Sequence, residues 1–411
     1  MGFIGKQPTP VPLTASDITD GIITSAKIAD GTIATADIAD SAVTSVKTSG
    51  VTSDMFRNFI INGDMKISQR GTSFAAIGNE FCIDRFKFNE STSGACTITQ
   101  DSSTPDGQGF SKSLKIDITT ADTSIASNQY SYLTYKLEGQ QCQQWLYGTS
   151  SAKTLTLSFW CKSAKTGTYC IGLVKEAMSG TRYEYLVEYS ISSANTWEKK
   201  TITITPTAGS TSFITASAAA IDSTNASGFR IHWTFVTGSD YQQATSDKWY
   251  QTSGTAIGTS NQVNLFDSTS NDFYLTGVQL EIGTTASDFE FLPHDVNLER
   301  CQRYYYLHSE SVATNKPIGV GFYYSSSYLG IAVHYTTTMR GTPSVMSPNS
   351  TDYFKIDRNG GSDTFNSIAL EIGSSNAMYC YNASQVSGTG GQGGYVRTNN
   401  SSSYLAFDAE L

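Results

Sequence analysis

Residues 153–163 read KTLTLSFWCKS, and runs of the same kind follow: YCIGLVKE (169–176), YEYLVEYSIS (183–192), KKTITITPT (199–207), GFRIHWTFV (228–236) and DFYLTGVQLEI (272–282). Each is short, rich in Thr, aliphatic and aromatic residues, and set off by Gly, Ser, Asn and Asp. Thr and aromatic side chains suit a pleated strand surface, whereas the separating residues supply turns. Short strands at this spacing predict an all-β jelly-roll sandwich over 57–293. All five Trp (145, 160, 197, 233 and 249) fall inside that range. EGQQCQQWLYG (138–148) is its one helical candidate.

Composition agrees with the strands. Of 411 residues only 15% are charged, 12% are aromatic and 35 are Gly. Ser (54) and Thr (51) together make about a quarter of the chain. Charge is too scarce for an ordinary helical protein, and aromatics are too many for a disordered one. The net charge of −9 denies the chain the electrostatic footprint of a nucleic-acid binder and disfavours an anionic membrane surface. No stretch approaches the ~20 apolar residues of a membrane span. The N-terminus lacks the apolar core of a signal peptide, and Lys6 stands where a myristoylation site needs Ser or Thr. Seven Cys with no CxxC spacing read as thiols rather than as a disulfide framework or zinc site.

The ends differ from the middle. In MGFIGKQPTPVPL, Pro8, Pro10 and Pro12 hold the chain near polyproline II, with Phe3 and Ile4 as apolar anchors. Residues 1–16 therefore read as a peptide that docks onto another protein. Three decads follow, DITDGIITSA, KIADGTIATA and DIADSAVTSV, which place Ile18, Ile23, Ile28, Ile33, Ile38 and Val43 five apart. That period fits neither helix nor strand, and such a row must bury itself against a neighbour. A parallel homotrimeric shaft over 17–56 is the expected solution. HDVNLERCQRYYYL (294–307) reads as a linking helix capped by Asp295. Residues 308–411 form a second β-rich unit, a tip domain with the flexible loop SGTGGQGG (387–394).

Chemistry motifs are sparse. GTGGQG (388–393) matches a phosphate-cradling pattern, but GYVRTNNSSS after it is no helix. His232, His294, His308 and His334 have no metal-ligand spacing, and no cofactor or metal is expected. Asp84, Asp272, Glu281 and Asp288 read as turn or ladder residues as readily as paired catalytic acids. Sugar rings pack on aromatic faces, so the candidate glycan contacts are aromatics in polar, loop-like stretches: Tyr241, Trp249 and Tyr250 in DYQQATSDKWYQTSG, and Tyr323, Tyr324 and Tyr328 in FYYSSSYLG. Trp160, Trp197 and Trp233 read as core.

Several stretches carry a resemblance: NFIINGDMKISQRGTSF (58–74), CIDRFKF (82–88), YGTSSAKTLTLSFWCKS (147–163), ANTWEKKTITI (194–204) and LTGVQLEIGTTASDFEFLPHDVNLERCQRYYYL (275–307). They resemble a module of tailed-bacteriophage tail-fibre and receptor-binding proteins, similar in turn to jelly-roll carbohydrate-binding modules. The N-terminus and decads look like those of marine-phage fibres. The resemblance implies a virion protein that attaches to host cells by binding a surface glycan, joined to other virion proteins through its N-terminus. An architectural virion component or a glycan-cleaving tailspike are the alternatives. Many such modules hold calcium through an acid after the opening NG, here Asp64, and an Asp on the last strand. Thr276 and Gly277 stand at the latter position, so no calcium is expected.

Overall fold

The computed structural model describes residues 28, 37 and 56–411, except 76–77, 177–180, 245, 253, 255 and 311–314. The chain divides into Met1–Met55 and Phe56–Leu411. Phe3, Ile4, Pro8, Pro10, Pro12, Ile18, Ile23, Ile33, Ile38 and Val43 lie outside the described residues. Of the decad row only Ile28 is described, and it is exposed.

Thirteen strands build a sandwich: β1 (Ser73–Ala75), β2 (Glu80–Phe81), β3 (Phe86–Glu90), β4 (Ala95–Asp101), β5 (Ser113–Thr120), β6 (Tyr130–Glu138), β7 (Leu155–Ser163), β8 (Gly167–Lys175), β9 (Tyr183–Ile191), β10 (Glu198–Ile204), β11 (Ser227–Thr237), β12 (Lys248–Gln251) and β13 (Asp272–Ile282). One sheet runs β1-β4-β5-β13-β7-β10 and the other β12-β9-β8-β11-β6-β3-β2, all antiparallel. Alternation along each strand feeds the core: Leu155, Leu157, Phe159 and Cys161 from β7 meet Phe229, Ile231, Trp233 and Phe235 from β11. Aromatic pairs cross the layers, Phe159 edge-on to Trp233 at 6.1 Å and Phe235 on Phe273 at 5.0 Å. Trp233 is core as expected, but Trp160 and Trp197 are half-buried outside it. Trp160 alternates with Phe159 and Cys161, so the period of two turns it away. Trp197 sits in the turn before β10. The stretch expected to be helical is a 3₁₀ helix, Gly139–Trp145, which buries Trp145 edge-on to Phe229 at 4.9 Å.

The ends of the sandwich segment clasp each other. The Asn58 side-chain amide donates to the Val278 carbonyl at 3.1 Å, and its oxygen accepts from the Leu280 N–H at 3.1 Å. Val278 N–H donates to the Gly63 carbonyl at 2.9 Å. A Cβ on Gly63 would lie 2.0 Å from the Val278 oxygen, so only glycine fits. Strand β13 shifts register between Thr276 and Gln279, with Gly277 at φ +63°. Two of the stretches that carry the sequence resemblance, 58–74 and 275–307, are thus each other's packing partners.

The linking helix α1 spans His294–Gln302, shorter than expected, and Asp295 lies in its first turn while Pro293 holds the N-cap position. Tyr305 opens a strand instead. Tyr306 is needed in the C-terminal core and Tyr305 faces the other way, an alternation no helix provides. The remaining strands are β14 (Tyr305–Glu310), β15 (Pro317–Ser325), β16 (Tyr328–His334), β17 (Ser344–Met346), β18 (Phe354–Arg358), β19 (Gly361–Phe365), β20 (Ala369–Gly373), β21 (Ala377–Asn382), β22 (Gly393–Thr398) and β23 (Tyr404–Asp408). They form a three-stranded sheet, β14-β23-β17, and a seven-stranded one, β19-β18-β22-β15-β16-β21-β20, around Leu329, Ile331, Phe354, Ile356, Leu405 and Phe407. GTGGQG leads into strand β22, not a helix.

Buried charges fasten the C-terminal residues to the sandwich. Arg85 and Glu410, at 1% and 2% side-chain exposure, form an ion pair, and the Arg85 guanidinium lies 3.4 Å from the Tyr304 ring centre. Arg303 grips Glu138 with two 2.8 Å hydrogen bonds, and Tyr304 donates a third. Burial works against the Glu138 charge, but those bonds overcome it and hold its pKa below the usual carboxylate value. All seven Cys are buried free thiols, and burial raises the pKa of Cys82 and Cys161 to about 12.

Candidate functional site

A cleft of about 760 Å³ opens where the sandwich meets the three-stranded sheet. Its floor is the face of that sheet turned away from the core. Tyr305, Leu307, Tyr404, Asp408 and Met346 point into the cleft, whereas Tyr306, Leu405 and Phe407 point into the core. Its wall is Phe74 on β1 and Glu80 and Phe81 on β2, the edge strands of the two sandwich sheets. Ser401, Ser402 and Ser403, in the turn before β23, line it further. The volume falls in the range of about 300–1,000 Å³ usual for small-molecule sites.

Arg70 organises the charge. Its guanidinium lies 3.7 Å from the Tyr305 ring centre and 5.2 Å from that of Phe81. It pairs with Asp408 at 3.2 Å, Glu410 at 3.5 Å and Asp84 at 3.9 Å. Burial opposes its charge, and the three carboxylates outweigh that and raise its pKa. Burial raises the Asp84 pKa against the pull of Arg70 and of Gln69, which donates to the carboxylate through its backbone and side-chain amides. The Gln69 side chain also bonds the Tyr305 carbonyl at 2.7 Å and the Leu307 N–H at 3.2 Å, tying the wall to the floor. Glu80 and Glu310 are exposed and have no ion-pair partner among the described residues. The result is an aromatic floor with hydroxyls beside it and free carboxylates at hand.

The aromatics singled out from sequence lie elsewhere. Two are corrected by packing. Trp249 is 1% exposed, in strand β12 rather than a loop, and its indole N–H donates to the Thr205 carbonyl at 2.9 Å. Tyr323 is fully buried beneath Gly388, with its hydroxyl donating to Asp363 at 2.5 Å. Tyr250 is half-buried on β12, its hydroxyl enclosed; burial, then Glu184, raises its pKa. Tyr241 is half-buried edge-on to Tyr130 at 5.1 Å. Tyr324 is 76% exposed and meets Tyr328 at 6.0 Å, which stacks on Tyr381 at 5.3 Å. Of these six, Tyr324 and Tyr328 are the only two whose rings meet among the described residues. The cleft residues were missed because nothing local joins 70–81 to 305–310 and 401–408. Arg70, Phe74 and Tyr305 do fall within the stretches that carry the resemblance.

Asp64 does not fit calcium: the Lys66 ammonium stands 3.3 Å from its carboxylate and the Asn297 amide donates to it at 3.2 Å, while the Thr276 hydroxyl is spent on the Lys112 carbonyl. Among the described residues no group of three His, Cys, Asp or Glu is placed to hold a metal.

No protein-family model matches the chain, and no curated protein matches it. Among solved structures it is similar to the enzymatically active domain of tailspike protein 4 from bacteriophage CBA120, at 12% identity and a TM-score of 0.29 over 55% of this chain and 22% of that one. It is also similar to carbohydrate-binding modules from Clostridium thermocellum. One is the family 11 module in complex with a β-1,3-1,4-mixed-linked tetrasaccharide (11% identity, TM-score 0.26, 53% of this chain and 99% of that one). Another is the C-terminal family 22 module of Xyn10B (12% identity, TM-score 0.24, 53% of this chain and 96% of that one).

Proposed function

We propose that the chain is a phage virion fibre protein that attaches to host cells by holding a surface glycan in the cleft between sandwich and three-stranded sheet. The observation that carries this reading is the cleft itself. Tyr404, Phe74 and Phe81 offer aromatic faces, Ser401 and Ser402 offer hydroxyls, and Glu80 and Glu310 offer free acceptors around one concavity. Sugar rings ask for that combination. In this reading the protein binds the glycan and does not cleave it; turnover of a bound polysaccharide by the purified chain would overturn that part. The period-five row at Ile18–Val43 supports a homotrimer, in which three clefts raise a weak affinity by avidity. Residues 1–16 join it to the virion.

A printed array of bacterial surface polysaccharides tests the reading. The full chain binds at least one polysaccharide. Tyr404→Ala weakens that binding about tenfold or more, and Ser402→Trp, which fills the cleft from an exposed position, abolishes it. Undiminished binding by both variants overturns the assignment. Light scattering that reports a single chain's mass removes the trimer.

A further inference from the structure

We infer that the cleft selects a glycan carrying a free ammonium group, an amino sugar, over its N-acetylated or acidic counterparts. This rests on the cleft being the glycan site and deepens that reading.

The charge balance is the first argument. The cleft is lined by one cation, Arg70, and three carboxylates, Glu80, Glu310 and Asp408. Arg70 is already matched by Asp408, Glu410 and Asp84. Lys87 stands nearby, its ammonium 5.6 Å from the Phe81 ring centre and outside the cleft lining, and among the described residues it forms no ion pair with Glu80 or Glu310. Glu80 and Glu310 therefore stand as uncompensated, solvent-facing charge. An acidic sugar entering the cleft would meet like charge, and a neutral one would leave it unanswered.

The second argument comes from what the cleft already does. Its aromatic surface holds a cation, with the Arg70 guanidinium against Tyr305 and near Phe81. Phe74 and Tyr404 are half-buried aromatic residues that carry no such cation among the described residues. An amino sugar would pack its C–H face on Tyr404 or Phe74, offer hydroxyls to Ser401 and Ser402, and turn its ammonium to Glu80 or Glu310. Water enters the cleft freely, so the electrostatic part fades with salt.

Calorimetric titration of the full chain with three oligosaccharides of equal length reads the selectivity: glucosamine, N-acetylglucosamine and galacturonic acid oligomers. The glucosamine oligomer is expected to bind about tenfold tighter than the N-acetylated one at low salt, and the galacturonic oligomer to give no measurable heat. The E80Q/E310Q variant, altered only at exposed side chains, should close most of the gap. Equal binding of the glucosamine and N-acetylglucosamine oligomers, binding of the uronic oligomer, or no heat from any of the three overturns the amine preference. Loss of polysaccharide binding in Ser402→Trp alongside any of those results leaves the cleft as the glycan site. Undiminished polysaccharide binding in both Ser402→Trp and Tyr404→Ala removes the site and this inference together.

Discussion

Two seven-stranded sheets in this molecule are used in opposite ways. The sandwich sheet centred on β11 buries both faces. Phe229, Ile231, Trp233 and Phe235 turn into the core, while His232 and Thr234 on the other side are also fully buried. The segment leading into and out of β12 folds across that second face: Ile257 accepts from Thr234, and Thr259 donates to Glu188. The C-terminal sheet centred on β15 buries one face only. Ile318 and Tyr323 turn inward, and Val320, Phe322 and Tyr324 stand 72%, 42% and 76% exposed. Where both sides of that sheet are covered its aromatics are spent on packing, while its edge strand β2 still turns Phe81 to the cleft. Contact surface survives where one face or one edge stays uncovered, which is also how the cleft arises.

The largest expected effect falls where the two regions are joined. Glu410→Gln leaves the buried Arg85 guanidinium without its counter-charge and should cost about 3–5 kcal/mol in urea unfolding. The Arg85→Met, Glu410→Met double variant should recover most of that loss, because neither charge is then stranded. A smaller loss for the single change would mean that the C-terminal residues dock mainly through the Ile61, Ile67, Cys301 and Tyr304 cluster.

Within the doubly covered sandwich, Leu157→Ala should cost about 2–5 kcal/mol, since the site is fully buried and cannot collapse freely. Val320→Thr and Ile372→Thr on the open face should each stay within about 0.5 kcal/mol. Comparable losses in the two regions would mean that the open face is covered in solution.

Between these lies a pH effect confined to the covered face. Burial, then Arg230 and Arg182, hold the His232 pKa well below its ordinary value. Below about pH 6.5 the unfolded chain takes up a proton that the native state refuses. Stability is therefore full above that pH and falls as pH drops, by up to about 1.4 kcal/mol per unit. Urea midpoints at pH 7.5 and 5.5 should diverge in the native chain and converge in His232→Gln. A residual slope would report other shifted groups, among them His308, which burial shifts the same way against its bond to the Ile318 carbonyl, and the raised carboxyls of Asp84 and Glu184, which act with the opposite sign.

The strands were legible because their information is local. KTLTLSFWCKS, GFRIHWTFV and DFYLTGVQLEI each announce a strand through residue type and flanking turns, and became β7, β11 and β13. The site residues were harder. Tyr324 looked exposed in a polar stretch and is exposed, but Tyr323 beside it is buried, and composition cannot tell neighbours on opposite faces apart. Trp249 lay in a polar stretch and is nevertheless core, because β12 adds itself to the edge of β9.

The sequence by itself determined an all-β chain, the strands that became β7, β11 and β13 and a helix starting at 294, because period, turn chemistry and composition act over a few residues at a time. Only the tertiary structure decided that Arg70, Phe81, Tyr305, Tyr404 and Asp408 share one cleft, and that Arg85 meets Glu410. Arg70 and Phe81 lie more than 200 residues from Tyr305, Tyr404 and Asp408, as Arg85 does from Glu410, and no local preference records such a meeting. It is decided by which sheet edges pack together and by the need to pair charges that packing takes out of water.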